Sequence, residues 1–120
     1  MRPIVQTNSG PVEGIAEYFD GREGFSFRGI PYAADTAGDN RWRAPQEVKP
    51  WTENFDASSF GPQCPQFRMG EGGFRGFIAG AYDVEIPEEE PPLESEDCLR
   101  LNVYSSDLNP EEKMPVMFWI

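Results

Sequence analysis

The 120-residue sequence contains no histidine. That absence excludes a Ser-His-Asp or Cys-His arrangement built from these residues alone, and it removes the commonest metal ligand. Cysteine occurs twice, too seldom to close a zinc site unaided. Basic residues are scarce: ten Lys and Arg stand against 21 Asp and Glu, for a net charge of −11. A field of that sign opposes nucleic-acid phosphates and anionic membrane surfaces. It suits either a solvated acidic surface or one that attracts a cationic substrate. Long hydrophobic runs are also missing, and no stretch approaches the roughly 18 apolar residues of a transmembrane segment. The opening Met1-Arg2-Pro3-Ile4-Val5-Gln6 lacks the apolar core and small-residue cleavage site of a secretion signal. As written, the chain reads as cytoplasmic; the mature form of a secreted protein would read the same.

What is present is a folded composition, with 38% hydrophobic and 13% aromatic residues. Twelve Gly and twelve Pro favour short strands and long loops over helices, within one domain. Gly10-Pro11 separates two short apolar runs and predicts a β-hairpin. Asp20-Gly21 predicts a second tight turn. A third strand follows, with Phe25, Phe27 and Ile30 on its packed side.

No period survives from residue 31 to residue 66, where Pro31, Pro45, Pro50, Pro62 and Pro65 break any helix. A loop of that length is normally anchored by large side chains. Trp42 and Trp51 are expected to be those anchors, with ligand stacking as the alternative. Residues 67–96 read as looser still, a flexible glycine-rich stretch around Met69-Gly70-Glu71-Gly72-Gly73 followed by the acidic run Glu88-Glu89-Glu90. That run reads as a solvated loop. Alternation of Leu99, Leu101 and Val103 with polar neighbours marks a strand with one packed face. Met114-Pro115-Val116-Met117-Phe118-Trp119-Ile120 is apolar on both faces, as in a strand covered from both sides. A chain ending on such a run reads as a piece of something larger.

Five ordered segments carry a resemblance. Ser95-Glu96-Asp97-Cys98-Leu99-Arg100-Leu101-Asn102-Val103-Tyr104 resembles the E-D-C-L-x-L-N-V-Y motif of type-B carboxylesterases, the cholinesterase/lipase family. Gly29-Ile30-Pro31-Tyr32-Ala33 resembles its G-I-P-Y-A segment. Asn40-Arg41-Trp42-Arg43-Ala44-Pro45 is similar to N-x-R-F-x-x-P, and Gly61-Pro62-Gln63-Cys64-Pro65-Gln66 to G-P-x-C-P-Q. The terminal apolar run resembles the family's L-P-V-M-V-W-I strand. Together these segments span nearly the whole chain.

The resemblance implies an α/β class, with an α/β-hydrolase fold in the parent protein. Residues 1–120 would supply the N-terminal β-strands and long loops of a single domain, cut before the oxyanion-hole loop. It implies hydrolysis of a small-molecule carboxylic ester through a serine acyl-enzyme, with no cofactor and no metal. It implies a disulfide between Cys64 and Cys98, with a pair of free thiols as the alternative, and a structural salt bridge between Arg41 and Glu96. Phe67, Phe74, Phe77 and Tyr82, in the segment between the cysteines, become candidates for the rim of the substrate pocket; the alternative is that they pin a floppy loop. That segment holds no tryptophan, which disfavours a choline ester. Neither a G-x-S-x-G elbow nor an HGGG-type loop occurs, so residues 1–120 alone are expected to be inactive and poorly folded. A non-catalytic adhesion protein of the same fold is the rival reading, separated from an enzyme only by residues outside this sequence.

Overall fold

In the computed structural model, residues 2–67, 73–85 and 92–120 are described. Most of the glycine-rich stretch at 69–72 and the acidic run at 88–90 lie outside them. Among the described residues the chain is mostly strands and loops, with one α-helix.

The first turn forms where Gly10-Pro11 predicted it. Strand β1 (Ile4–Gln6) pairs antiparallel with β2 (Pro11–Glu13), with Val5 opposite Val12. Thr7 closes the turn: its amide donates to the Gly10 carbonyl at 3.0 Å, and its hydroxyl accepts the Ser9 and Gly10 amides, each at 3.2 Å. The expected single strand after Gly10 is instead two. At Gly14 the chain leaves one sheet for another, and β3 (Ile15–Phe19) pairs with β4 (Arg22–Pro31) across the Asp20-Gly21 turn. The first sheet runs β1-β2-β5, with β5 (Phe55–Asp56) parallel to β2. The second runs β3-β4-β6, where β6 (Arg100–Ser105) lies antiparallel to β4.

Val12, Phe27 and Ala57 form the buried centre between the two sheets, and Val5, Phe25, Ile30, Trp51, Phe55 and Leu108 pack around them. Phe25 and Phe27 share a face by the period of two, but Ile30 has the wrong parity. A β-bulge restores it. Between Phe27 and Ile30, Arg28 and Gly29 oppose the single residue Asn102. Gly29 takes φ 68° at the bulge. A Cβ there would stand 2.8 Å from the Gly61 nitrogen and 2.9 Å from the Ser59 carbonyl oxygen. The bulge is filled by Asn102, whose Oδ1 accepts the Gly29 amide at 2.9 Å. The freed Arg28 amide donates to the Ala57 carbonyl at 2.8 Å.

Trp51 anchors the long loop as expected. Its amide donates to Ser9 and its indole Nε1 to the Pro11 carbonyl, each at 2.8 Å, and its ring lies 5.5 Å from that of Phe55. Trp42 does not: at φ 64° its side chain is 97% exposed. The loop around it is held by Arg41 and Thr36 instead.

Two further expectations fail. Gly73 and Gly76, the described residues of the expected flexible stretch, lie in helix α1 (Gly73–Tyr82), in which Phe74, Ile78 and Tyr82 fall on one face at intervals of four. The terminal apolar run forms no strand. Residues 116–120 have no secondary structure and are almost wholly exposed, because nothing among the described residues pairs with them or covers them.

Candidate functional site

The site residues lie along one path, from the loop around Arg41 to the neck of the 64–98 segment and out to α1. A 3-10 turn (Gly38–Asn40) aims Arg41. Asp35 stabilises that turn by accepting the Ala37 amide at 2.8 Å, while its carbonyl accepts from the Asn40 side chain at 3.0 Å. Arg41 then meets Glu96 in a two-point contact, Nε to Oε1 at 2.6 Å and Nη2 to Oε2 at 2.5 Å. The Thr36 hydroxyl adds a bond to the Glu96 carbonyl at 2.5 Å. The planar fork of arginine suits such a carboxylate. These hydrogen bonds from Arg41 hold the Glu96 carboxyl below its ordinary range; desolvation pulls the other way, and the charge of Arg41 adds to the lowering. Both side chains are substantially exposed, so the pair is screened in a way a buried one is not.

Next along the chain, Asp97 pairs with Arg100. Arg100 also donates to the Gly29 carbonyl at 3.3 Å, and its aliphatic stem lies against Gly61. The motif residues around positions 29, 61 and 96–102 thus converge on the bulge. Sequence reasoning missed this knot, because Asn102 and Arg100 read only as the polar face of a strand. A second pair was missed as well: Arg28 reaches Glu17 at 2.6 Å and lies 4.9 Å over the ring of Phe60.

The neck of the 64–98 segment is closed by backbone. Gln63 donates its amide to Leu93 at 2.9 Å and accepts from Ser95 at 3.0 Å, forming a parallel bridge with Glu94. This juxtaposition brings Cys64 and Cys98 together. Both are free thiols in the structure, Cys64 exposed and Cys98 half-buried. Burial pushes the Cys98 thiol up from its ordinary value, and a hydrogen bond with the Cys64 thiol acts in the same direction.

Beyond the neck, α1 presents an open groove of about 480 Å³ lined by Phe74, Arg75, Ile78, Ala79 and Tyr82 of the helix, with Val84 and Glu85 after it. Of the four expected rim residues, Phe74 and Tyr82 line this groove. Phe77 stacks on Phe74 with ring centroids 6.5 Å apart, one turn along. Phe67 stands apart, 91% exposed and outside the groove. Ile78 and Val84 were not anticipated; the signal for Ile78 was its helical spacing from Phe74. Among the described residues no group of three or more His, Cys, Asp or Glu is placed to hold a metal ion. No helix there is long and apolar enough to cross a membrane.

The bulge, the Arg41–Glu96 clasp and the two-cysteine neck are built from residues of four of the five motifs, all but the terminal apolar run. The chain belongs to the carboxylesterase family, whose model matches residues 1–120. It is 40% identical to the phenmedipham hydrolase of Pseudarthrobacter oxydans over 119 residues, covering 99% of this chain and 21% of that protein. It is 36% identical to carboxylesterase 1C of Mus musculus, covering 100% of this chain and 21% of the relative. The para-nitrobenzyl esterase of Bacillus subtilis (strain 168) is 33% identical, with 98% of this chain and 20% of the relative covered. The chain therefore spans about a fifth of the length of the curated relatives it matches. Family membership implies the α/β-hydrolase fold, of which these strands and this helix are a part.

Proposed function

We propose that residues 1–120 form the N-terminal part of a single α/β-hydrolase domain that hydrolyses carboxylic esters through a serine acyl-enzyme. The observation that carries this reading is the family match along the whole chain, combined with relatives named as hydrolases and esterases. Nucleophile, base and oxyanion donors are supplied by residues outside this sequence, which has no histidine and no G-x-S-x-G elbow. Residues 1–120 alone are inactive. Their contribution is scaffold and one wall of the pocket.

That wall is the α1 groove. Its lining is mostly apolar, with Phe74, Ile78, Ala79, Tyr82 and Val84 beside the charged Arg75 and Glu85, and suits an apolar or aromatic ester group. One relative is named for a para-nitrobenzyl ester, whose benzyl group is aromatic. Cys64 and Cys98 close the neck as a disulfide in an oxidising compartment and remain thiols in a reducing one.

The test is hydrolysis of a para-nitrobenzyl ester and of the matching ethyl ester by the whole polypeptide and by residues 1–120. Activity in the former alone, abolished by a serine-directed organophosphate, is the expected result; organophosphate-resistant hydrolysis would sink the serine mechanism. Phe74→Ala is expected to raise KM for the aromatic ester several-fold with little change for the ethyl ester. Equal effects on both would remove α1 from the pocket.

A further inference from the structure

The turn between β3 and β4 belongs to none of the surfaces above. Its two residues, Asp20 and Gly21, have φ of 51° and 74°, and Phe19 pairs with Arg22 across them. For Asp20 this is the left-handed region, which its Cβ disfavours. In such a turn the flanking residues exchange the hydrogen bonds, leaving the Gly21 amide outside the ladder. Both residues are exposed, and apart from Gly21 itself and its two chain neighbours no heavy atom lies within 4 Å of where a Gly21 side chain would begin. A carboxyl group therefore sits one residue before a solvated, unhindered amide.

From this geometry we infer that Asp20 is a site of spontaneous succinimide formation and isoaspartate conversion in the folded protein. The Gly21 nitrogen attacks Cγ of the Asp20 carboxylic acid. A C–N bond forms, the Cγ–OH bond breaks, and water leaves with the amide proton and the hydroxyl. Water then opens the ring. Addition at Cγ restores aspartate, and addition at the main-chain carbonyl leaves the chain running through the side chain. One water leaves and one enters, so no oxidant, metal or second substrate is required. The ester chemistry plays no part.

Asp83 provides the contrast within the same molecule. It too has a positive φ, 52°, but the next residue is the β-branched Val84, whose amide donates to Ala79 at 3.0 Å. Its nucleophile is hindered and occupied. No other Asp-Gly pair and no Asn-Gly pair occurs in the sequence. Conversion at Asp20 lengthens the main chain of a two-residue turn, so the Phe19–Arg22 rung is lost. Glu17, which stands opposite Gly24 on the same hairpin, then loses its fixed approach to Arg28.

The experiment is prolonged incubation of the whole folded polypeptide at neutral pH in heavy-oxygen water. Digestion, electron-transfer fragmentation and isoaspartyl methyltransferase labelling then locate the products. Isoaspartate carrying one heavy oxygen is expected at position 20 before it appears at Asp39, Asp56 or Asp83. Asp20→Asn should convert several-fold faster, since ammonia is lost from the amide more readily than water from the carboxylate. Asp20→Ala should abolish the product that fragmentation locates at position 20. An unconverted Asp20 in the folded protein, earlier conversion at Asp83, or conversion seen only in denaturant overturns the inference.

Discussion

At the scale of single residues, Gly29 and Glu96 carry separable consequences. A methyl group at Gly29 meets the backbone of Ser59 and Gly61 at under 3.0 Å while φ stays at 68°. Gly29→Ala is accordingly expected to destabilise the protein by about 2 kcal/mol in urea denaturation. Glu96 acts through pH. Its folded carboxyl titrates below its unfolded value because Arg41 donates to it. Its stabilisation is therefore present above the unfolded carboxylate range and is lost as pH falls through the lower folded value. Glu96→Gln should lower the denaturation midpoint at neutral pH, with the difference from wild type closing in acid. A difference that persists there would assign the role to side-chain packing at position 96, since the Thr36 bond to the main-chain carbonyl is common to both proteins. The Arg41–Glu96 pair, 55 residues apart in sequence, was legible only through the motif resemblance, since no local pattern links such distant charges. The Arg28–Glu17 pair had no motif to announce it.

At the scale of elements, legibility followed local chemistry. Gly10-Pro11 and Asp20-Gly21 announced both hairpins because their turns need those residue types. The crossing at Gly14 was hidden, since alternation continues through it while the hydrogen-bonding partner changes. Trp51 and Trp42 looked alike in sequence; only the bonds from Trp51 to Ser9 and Pro11 distinguish the anchor from the exposed ring. Helix α1 was masked by its glycines, which outweighed the spacing of Phe74, Ile78 and Tyr82. One of those glycines gives a prediction. Beyond its chain neighbours and the helix's own backbone, nothing lies within 4 Å of a Cβ built on Gly80, so Gly80→Ala should stabilise α1 by about 0.5–1 kcal/mol through helix propensity. Greater helical ellipticity and slower amide exchange in residues 73–82 would register it. Phe27→Ala, at the centre of the core, should cost about 3–5 kcal/mol and be visible as a reduced urea midpoint.

At the scale of the whole molecule, the chain is open. Its radius of gyration is 17.8 Å, against about 14 Å for a compact domain of this length. Phe118, Trp119 and their neighbours at the end of the sequence are exposed, and among the described residues only a handful reach full burial. Residues 1–120 expressed alone should therefore melt without a sharp transition and bind a hydrophobic dye strongly. A cooperative melt with no dye binding would show that the two small sheets suffice. Thiol counting on the whole polypeptide, unreduced, should find no free thiol at Cys64 or Cys98 after oxidative refolding and two after reduction.

The bridge between Gln63 and Glu94 sets the ends of a thirty-odd-residue excursion side by side, held by main-chain bonds between Gln63 and both Leu93 and Ser95 and by the Gln63 side-chain amide, which donates to the Glu94 carboxylate at 3.2 Å. Such an excursion behaves as a cassette. Loop-closure entropy changes by only about 0.6 kcal/mol for each doubling of length, so its interior is free to lengthen, shorten or change character without disturbing the strands beneath. On the proposed reading of α1 as a pocket wall, grafting the corresponding excursion from a relative, joined at Gln63 and Ser95, is expected to change the relative rates on the aromatic and ethyl esters while leaving the urea midpoint of the scaffold unchanged.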